Sequence, residues 1–208
     1  MSDDAKKEDK PSFIAEARRN QIIEAAIRTL DEDGYVKASL AQIAKKAGIS
    51  TALISYHFSD KSDLMNHLLM YLLEDSTAYI LGKVHQERTH TEKLKAFIKA
   101  RLSYQHAQPD RYTALIEIIF NARTPDNIPY YKLNSEEDED AIMNELQSIL
   151  LDGQKKGAFG DFHVSVVATM IQGAIGEYVL NSDITKKVDV EIYSNELISI
   201  VLRVVEGK

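Results

Sequence analysis

The chain has 208 residues, 44% of them hydrophobic and 27% charged, an ordinary composition for a globular protein with room for a small head and a larger body. It has no cysteine, which excludes disulfides, thiolate metal sites and cysteine nucleophiles. The net charge of −7 weighs against nucleic acid, but it is uneven: residues 1–67 hold 10 Lys and Arg against 11 Asp and Glu, and residues 68–208 hold 15 against 21. A near-neutral head can still grip phosphates if its few cations share one face. No apolar run approaches the ~18 residues needed to span a bilayer. Residues 1–10 lack the apolar stretch of a signal peptide, so a cytoplasmic protein is expected.

Residues 1–10 mix Lys with Asp and Glu without periodicity and read as a disordered tail. Pro11 and Ser12 suit the start of a first helix, whose stripe is Ile23, Ala26, Ile27 and Leu30 and whose stop is Gly34. Ser39, with Gln42 three residues on, forms a capping box for a second helix carrying Leu40, Ile43, Ala44 and Ala47. Gly48 ends that helix after barely two turns. Ser50 caps a third short helix, Thr51 to His57, and Ser59 or Asp60 caps a fourth running through Leu64, Leu68 and Leu72.

The remainder also has helical periodicity. Leu94, Phe97, Ile98 and Leu102 form one stripe, and Leu115, Ile118, Ile119 and Ala122 another. Pro125 and Pro129 mark a loop over 123–135, after which Glu136 to Asp140 complement the positive end of a helix with Ile142, Leu146, Ile149 and Leu150. Gly153, Gly157 and Gly160 surround a turn, and two last helices cover about 163–180 and 189–205. No alternating strand appears, so the fold class is all-α. The six histidines give one Glu-x-x-His unit, Glu87 to His90, but no second one to complete a di-iron site. Neither a phosphate-binding glycine loop nor a nucleophile motif is present. The chain therefore reads as a non-enzyme without metal or cofactor.

The segment 39–58 carries the chemistry. Two short helices joined by a glycine turn cross steeply and need a small residue at the crossing, which Ala44 supplies. Gly48 stands four residues later, and Ile49 and Ile54 fill the space between the helices: the spacing of a helix-turn-helix. Its second helix then lies in a DNA major groove. Thr51, Ala52 and Ser55 face base edges there, as hydroxyls and a methyl that touch bases or the thymine methyl. No Arg, Asn or Gln stands at those positions, so readout leans on apolar contacts, water and DNA shape. Ser39, Tyr56, His57 and Lys61 suit phosphate contacts, with Lys45 and Lys46 as additions, and Ser50 is a further DNA-binding candidate.

Residues 18–73 resemble the DNA-binding head of the TetR family, through "IIEAAIRTLDEDGY" and "ASLAQIAKKAGISTALISYHFSDKSDL". Ala44, Ala47-Gly48-Ile49-Ser50, Tyr56-His57-Phe58 and Lys61 match family motifs in order and spacing. The resemblance implies that Ser39 caps the second helix and touches phosphate, that Thr51, Ala52, Ser55 and Tyr56 meet DNA, and that His57 and Lys61 support or touch the backbone. It departs at Ala52, where the family often has glycine, and at Ser55, where it often has an aromatic. The domains expected are a head over 11–59 and an effector-binding and dimerisation domain over 60–208, with 60–80 as a linking helix.

The resemblance makes the protein a transcriptional regulator of double-stranded DNA, a repressor released by a small-molecule effector. The competing class is a helical dimeric binding module that has lost specific DNA recognition. Helices near 163–180 and 189–205 are apolar around much of their circumference, and Gly173 and Gly176 permit close approach, so a homodimer through them is expected. A two-fold-symmetric operator matches such a dimer. Candidates for the effector pocket are Arg101, Tyr104, Glu117, Phe120, Asn121, Tyr130, Tyr131 and Gln172, polar or aromatic residues beside the apolar stripes. Arg101 and Glu117 in one pocket would suit an amphipathic ligand.

Overall fold

The computed structural model describes residues 13–132 and 140–207, and within them helices account for the architecture. They are α1 (Phe13–Lys37), α2 (Leu40–Ala47), α3 (Thr51–His57), α4 (Lys61–Val84), α5 (His90–Ala107), α6 (Pro109–Asn121), α7 (Ala141–Lys155), α8 (Val164–Leu180), α9 (Ser182–Lys187) and α10 (Val190–Glu206). A single 3-10 turn, Tyr130–Lys132, and an isolated bridge between Arg123 and Pro129 shape the loop after α6. The fold is all-α, with an N-terminal helix-turn-helix. Among the described residues no helix is long and apolar enough to cross a membrane. The expected tail 1–10, the start at Pro11 and Ser12, and most of the acidic run before α7 lie outside the described residues.

The chain forms two compact units. The first holds the residues up to Leu69 together with Thr113–Tyr130; the second holds Met70–Tyr112 and Tyr131 onward. The first unit thus extends ten residues past the expected head boundary at 59 and takes in α6 from Thr113 onward with its following loop. One tie within this unit is the Glu117 carboxylate, which accepts a hydrogen bond from the Tyr35 amide at 2.7 Å, beside the kink in α1. Gly34 breaks the helix there with φ 75° and ψ 166°, a conformation open to glycine alone among common residues.

In the first unit the α1 stripe Ile23, Ala26, Ile27 and Leu30 is buried, as are Ile43, Ala44 and Ala47 of α2, Ile54 of α3, and Phe58. The α1 side chain Gln21 donates to the carbonyl of Ala47 at 2.7 Å and so ties α1 to the end of α2. Asp60 accepts from the Asp63 amide at 2.8 Å, while Asp63 accepts from the Ser59 amide at 2.8 Å. This reciprocal pair starts α4 and selects Asp60 over Ser59 as the cap.

In the second unit α5 is packed by α7, α8 and α10. The core gathers Leu94, Phe97, Ile98 and Leu102 of α5 with Leu146, Ile149 and Leu150 of α7, Ile171 and Ile175 of α8, and Val201 and Val205 of α10. Each such side chain contributes roughly 1.5–3 kcal/mol on burial. Asp140 caps α7 by accepting from the amides of Ile142 and Met143. The α7–α8 turn is held by Gln154, whose amide donates to the carbonyls of Gly160 and Phe162, both at 3.0 Å. The Gly160 amide in turn donates to the Val205 carbonyl at 2.8 Å, fixing the end of α10.

Candidate nucleic-acid interface

The turn between α2 and α3 is set by backbone geometry. Gly48 adopts φ 68° and ψ 32°, the left-handed conformation. Its amide donates to the Lys45 carbonyl at 3.2 Å, and the Ile49 amide reaches the Ala44 carbonyl at 3.0 Å. These two bonds close α2 as a Schellman motif. Ala44 is buried at the crossing, and Ile54 comes in from α3 fully buried. Ser39 caps α2 by accepting from the Gln42 amide at 3.3 Å, and its hydroxyl donates to the Gln42 side-chain oxygen at 3.0 Å. Ser50 caps α3 by accepting from the Leu53 amide at 3.2 Å.

The caps leave one face of α3 to solvent. Thr51, Ala52, Ser55 and Tyr56 are all exposed, while Ile54 and Phe58 point into the core. Tyr56 is 81% exposed, a large aromatic with the edge of His57 against it, ring centroids 5.1 Å apart. His57 is half-buried, and burial together with the nearby Arg19 charge pushes its pKa below the usual histidine value. Its neutral imidazole is then available to accept or donate. The exposed set Thr51, Ala52 and Ser55 is small and uncharged, so the α3 backbone can approach a groove floor closely.

The lysines divide. Lys45 is exposed. Lys46 is engaged: its ammonium lies 2.8 Å from Glu32, 3.4 Å from Asp33 and 3.2 Å from the Arg28 carbonyl. Burial alone would lower its pKa, but the Glu32 and Asp33 carboxylates hold it above the ordinary lysine value. Lys61 turns inward, donating to the Tyr35 carbonyl at 2.5 Å with its ammonium 4.2 Å from the centre of the Tyr35 ring. Burial lowers its pKa. In this conformation Lys61 fastens the end of α1 to the start of α4, and Lys46 fastens α2 to α1. Sequence spacing placed both near the surface but could not identify these partners.

The eight effector candidates are divided between the units: Glu117, Phe120, Asn121 and Tyr130 belong to the first, and Arg101, Tyr104, Tyr131 and Gln172 to the second. Arg101 and Gln172 meet, Nη2 to Oε1 at 3.3 Å. Tyr104 instead donates to Asp75 at 2.6 Å, beside Arg111, which donates to the Tyr71 hydroxyl at 3.1 Å. Burial first, and then the Asp75 carboxylate, push the Tyr104 phenol far above its ordinary pKa. Glu117 is taken by the Tyr35 amide and by Asn121, whose side chain donates to it at 3.2 Å. The Tyr130 hydroxyl donates to Asn66, and Phe120 and Tyr131 are exposed. A depression of about 310 Å³ between α4 and α5 is lined by residues such as Tyr79, Lys83, Lys99 and Ser103, and none of the eight candidates lines it. Gln105, which the sequence reading passed over, is 2% exposed, and neither polar atom of its amide has a partner. Its signal was present: it continues the stripe of Ile98 and Leu102.

A capped helix-turn-helix with its second helix turned outward, on an all-helical scaffold, defines the class of helix-turn-helix proteins. Residues 22–68 match the family model described as "Bacterial regulatory proteins, tetR family". Residues 22–68 are thus similar to the DNA-binding part of that family. It is 30% identical over 111 residues to the HTH-type transcriptional regulator BetI of Brucella canis, covering 53% of this chain and 56% of that one. It is 46% identical over 56 residues to BetI of Yersinia pestis, covering 27% and 28%. The matches thus span about half, or less, of these relatives. Among solved structures, FadR of Bacillus subtilis in complex with stearoyl-CoA superposes with a TM-score of 0.74 at 24% identity, covering 91% of this chain and 98% of that one. PfmR of Thermus thermophilus gives 0.72 at 19%, covering 90% and 97%. At such identities these two establish the fold.

Proposed function

We propose that the protein is a sequence-specific DNA-binding transcriptional regulator, a cytoplasmic homodimeric repressor that a small-molecule effector releases from a two-fold-symmetric operator. The observation that carries the reading is the outward face of α3, where Thr51, Ala52, Ser55 and Tyr56 stand exposed beyond two capped helix ends. Thr51, Ala52 and Ser55 read base edges in the major groove, the hydroxyls by hydrogen bonds and the alanine methyl against thymine. Ser39, Ser50, Lys45, Tyr56 and His57 contact phosphates and fix register. Lys46 and Lys61 hold the head in shape and reach phosphate only on exchanging their present partners.

The second unit supplies dimerisation and effector binding. Val166, Met170 and Leu180 of α8 and Ile192, Ile200 and Val204 of α10 are exposed apolar residues. An added Cβ at Gly173 or Gly176 would meet nothing within 4 Å, so a partner helix can come close there. Two such helices from each subunit form a four-helix interface, and the symmetric pair of heads matches symmetric half-sites. An effector that favours a head spacing unlike that of the operator weakens DNA binding, and DNA weakens effector binding by the same factor. Switching from 1:99 to 99:1 takes a roughly 10⁴-fold preference.

The test is selection of duplexes from a genomic fragment pool at about 0.15 M salt, with Tyr56→Ala and Lys45→Ala alongside. Enrichment of one two-fold-symmetric sequence, weakened in both variants, is expected. No enrichment with or without cell extract as a source of effector refutes the reading.

A further inference from the structure

Arg101 and Gln105 stand one turn apart on α5, in line with buried Ile98 and Leu102. Their hydrogen bonding is incomplete. Nε of Arg101 is sealed from solvent without a partner, and the contact of Nη2 with Gln172 is long at 3.3 Å. Gln105 is buried with both Nε2 and Oε1 unsatisfied. Unpaired buried polar atoms are costly, and charged ones more so, so a native protein carries such a cluster for a reason. Phe97 and Leu102 of α5 and Ile171 and Ile175 of α8 belong to the surrounding core cluster.

The missing component can be specified by chemistry. Burial lowers the Arg101 pKa, and the charges of Tyr112 and Asp140 act in the opposite direction. Among the described residues no carboxylate forms an ion pair with this guanidinium. An internal water could satisfy the Gln105 amide but brings no negative charge to Arg101. Nε and Nη2 form one edge of the guanidinium, the edge that takes a carboxylate through two parallel hydrogen bonds. Gln105 Nε2 can donate to the same anion. The head would adjoin the apolar core that α5 and α8 form, so the body behind it is apolar.

We propose that the second unit binds an amphipathic organic anion, a medium- or long-chain carboxylate, with its head on the Nε–Nη2 edge of Arg101 and against the amides of Gln105 and Gln172. The inference rests on the reading of this unit as the effector domain and gives that effector its chemical class. An anion is selected over a zwitterion or an ammonium compound.

The full-length protein would be titrated by calorimetry with decanoate and hexadecanoate, and with 1-decanol and decyltrimethylammonium as neutral and cationic counterparts. The carboxylates bind at least tenfold more tightly than the alcohol or the ammonium compound. Arg101→Met loses roughly tenfold or more of that affinity, the loss of a charge-assisted hydrogen-bonded pair. Gln105→Met loses less and melts at a higher temperature, because an unsatisfied amide is removed. Circular dichroism establishes that both variants are folded. Equal binding of alcohol or ammonium, unchanged carboxylate affinity in Arg101→Met, or no binding of either carboxylate overturns the proposal. Enrichment of DNA by the intact protein in parallel keeps the regulator reading standing if the carboxylates fail; loss of enrichment removes that reading separately.

Discussion

Replacing Gly153 by alanine should destabilise the second unit, although alanine is the better helix former. Gly153 is buried within α7, and the ring of Phe159 lies across it. A Cβ at this position would fall 2.1 Å from Cδ2, 2.4 Å from Cε2 and 2.9 Å from Cγ of that ring, where ordinary contact begins at 3.4 Å. The ring must withdraw by more than an ångström, yet Phe159 is only 5% exposed and sits in the turn that Gln154 and Val205 hold. Overpacking of this kind costs about 1–3 kcal/mol, and so close an approach belongs at the upper end. Helix propensity returns about 1 kcal/mol, leaving a net loss of about 2 kcal/mol. For a chain of this size that lowers Tm by roughly 4–8 °C. The assay is thermal unfolding followed by circular dichroism. Gly82→Ala is the control, since Gly82 lies in α4 with nothing within 4 Å of an added Cβ, and it should gain up to about 1 kcal/mol. Phe159→Leu combined with Gly153→Ala should recover part of the loss, because the two residues are coupled. A Gly153→Ala protein as stable as the parent would refute the packing argument.

Three further outcomes are expected. Lys45→Ala should weaken DNA binding and reduce the slope of log affinity against log salt by about 1, whereas Lys46→Ala should leave the slope unchanged, because its ammonium is already paired with Glu32 and Asp33; anisotropy titrations across salt concentrations distinguish the two. The Ser59 amide bond to Asp63, with smaller contributions from the Ser59 hydroxyl and His67, holds that carboxyl below its ordinary 3.8 despite desolvation. Its stabilisation is therefore complete above the unfolded value and lost as pH falls through the lower folded one. Asp63→Asn should be less stable than the parent at pH 7, and the difference should shrink in acid melts towards pH 2. Ile200→Glu should convert the dimer to monomer in sedimentation velocity, by placing a carboxylate in the proposed α8–α10 interface.

The parts of this molecule that were legible in the sequence are those decided by neighbours in the chain. Ser39 and Gln42, Gly48, and Ser50 with Leu53 make their bonds within five residues, and their roles follow from residue type and spacing. The α5 and α7 stripes are likewise local, and their members are buried as the periodicity requires. The parts that were not legible depend on distant partners. Lys61 is turned inward by a carbonyl 26 residues away, and Glu117 is claimed by an amide 82 residues away. No spacing rule identifies either partner, so both residues were assigned roles from type alone. Gln105 lies between these cases. Its place on the α5 stripe was readable, but its significance follows from the unsatisfied state of a buried amide one helical turn from the sealed Nε of Arg101, which spacing alone does not reveal.

The central claim is that α3 reads DNA sequence, and the most direct test is the ratio of affinities for the selected duplex and a scrambled duplex of equal length and composition. Both would be titrated with the full-length protein at about 0.15 M salt. The account predicts a ratio of roughly 10³ or more, the range of specific recognition. That ratio should fall sharply in Ser55→Ala and Tyr56→Ala, while non-specific binding depends mainly on salt. Equal affinity for the two duplexes would contradict the account, however tightly both were bound.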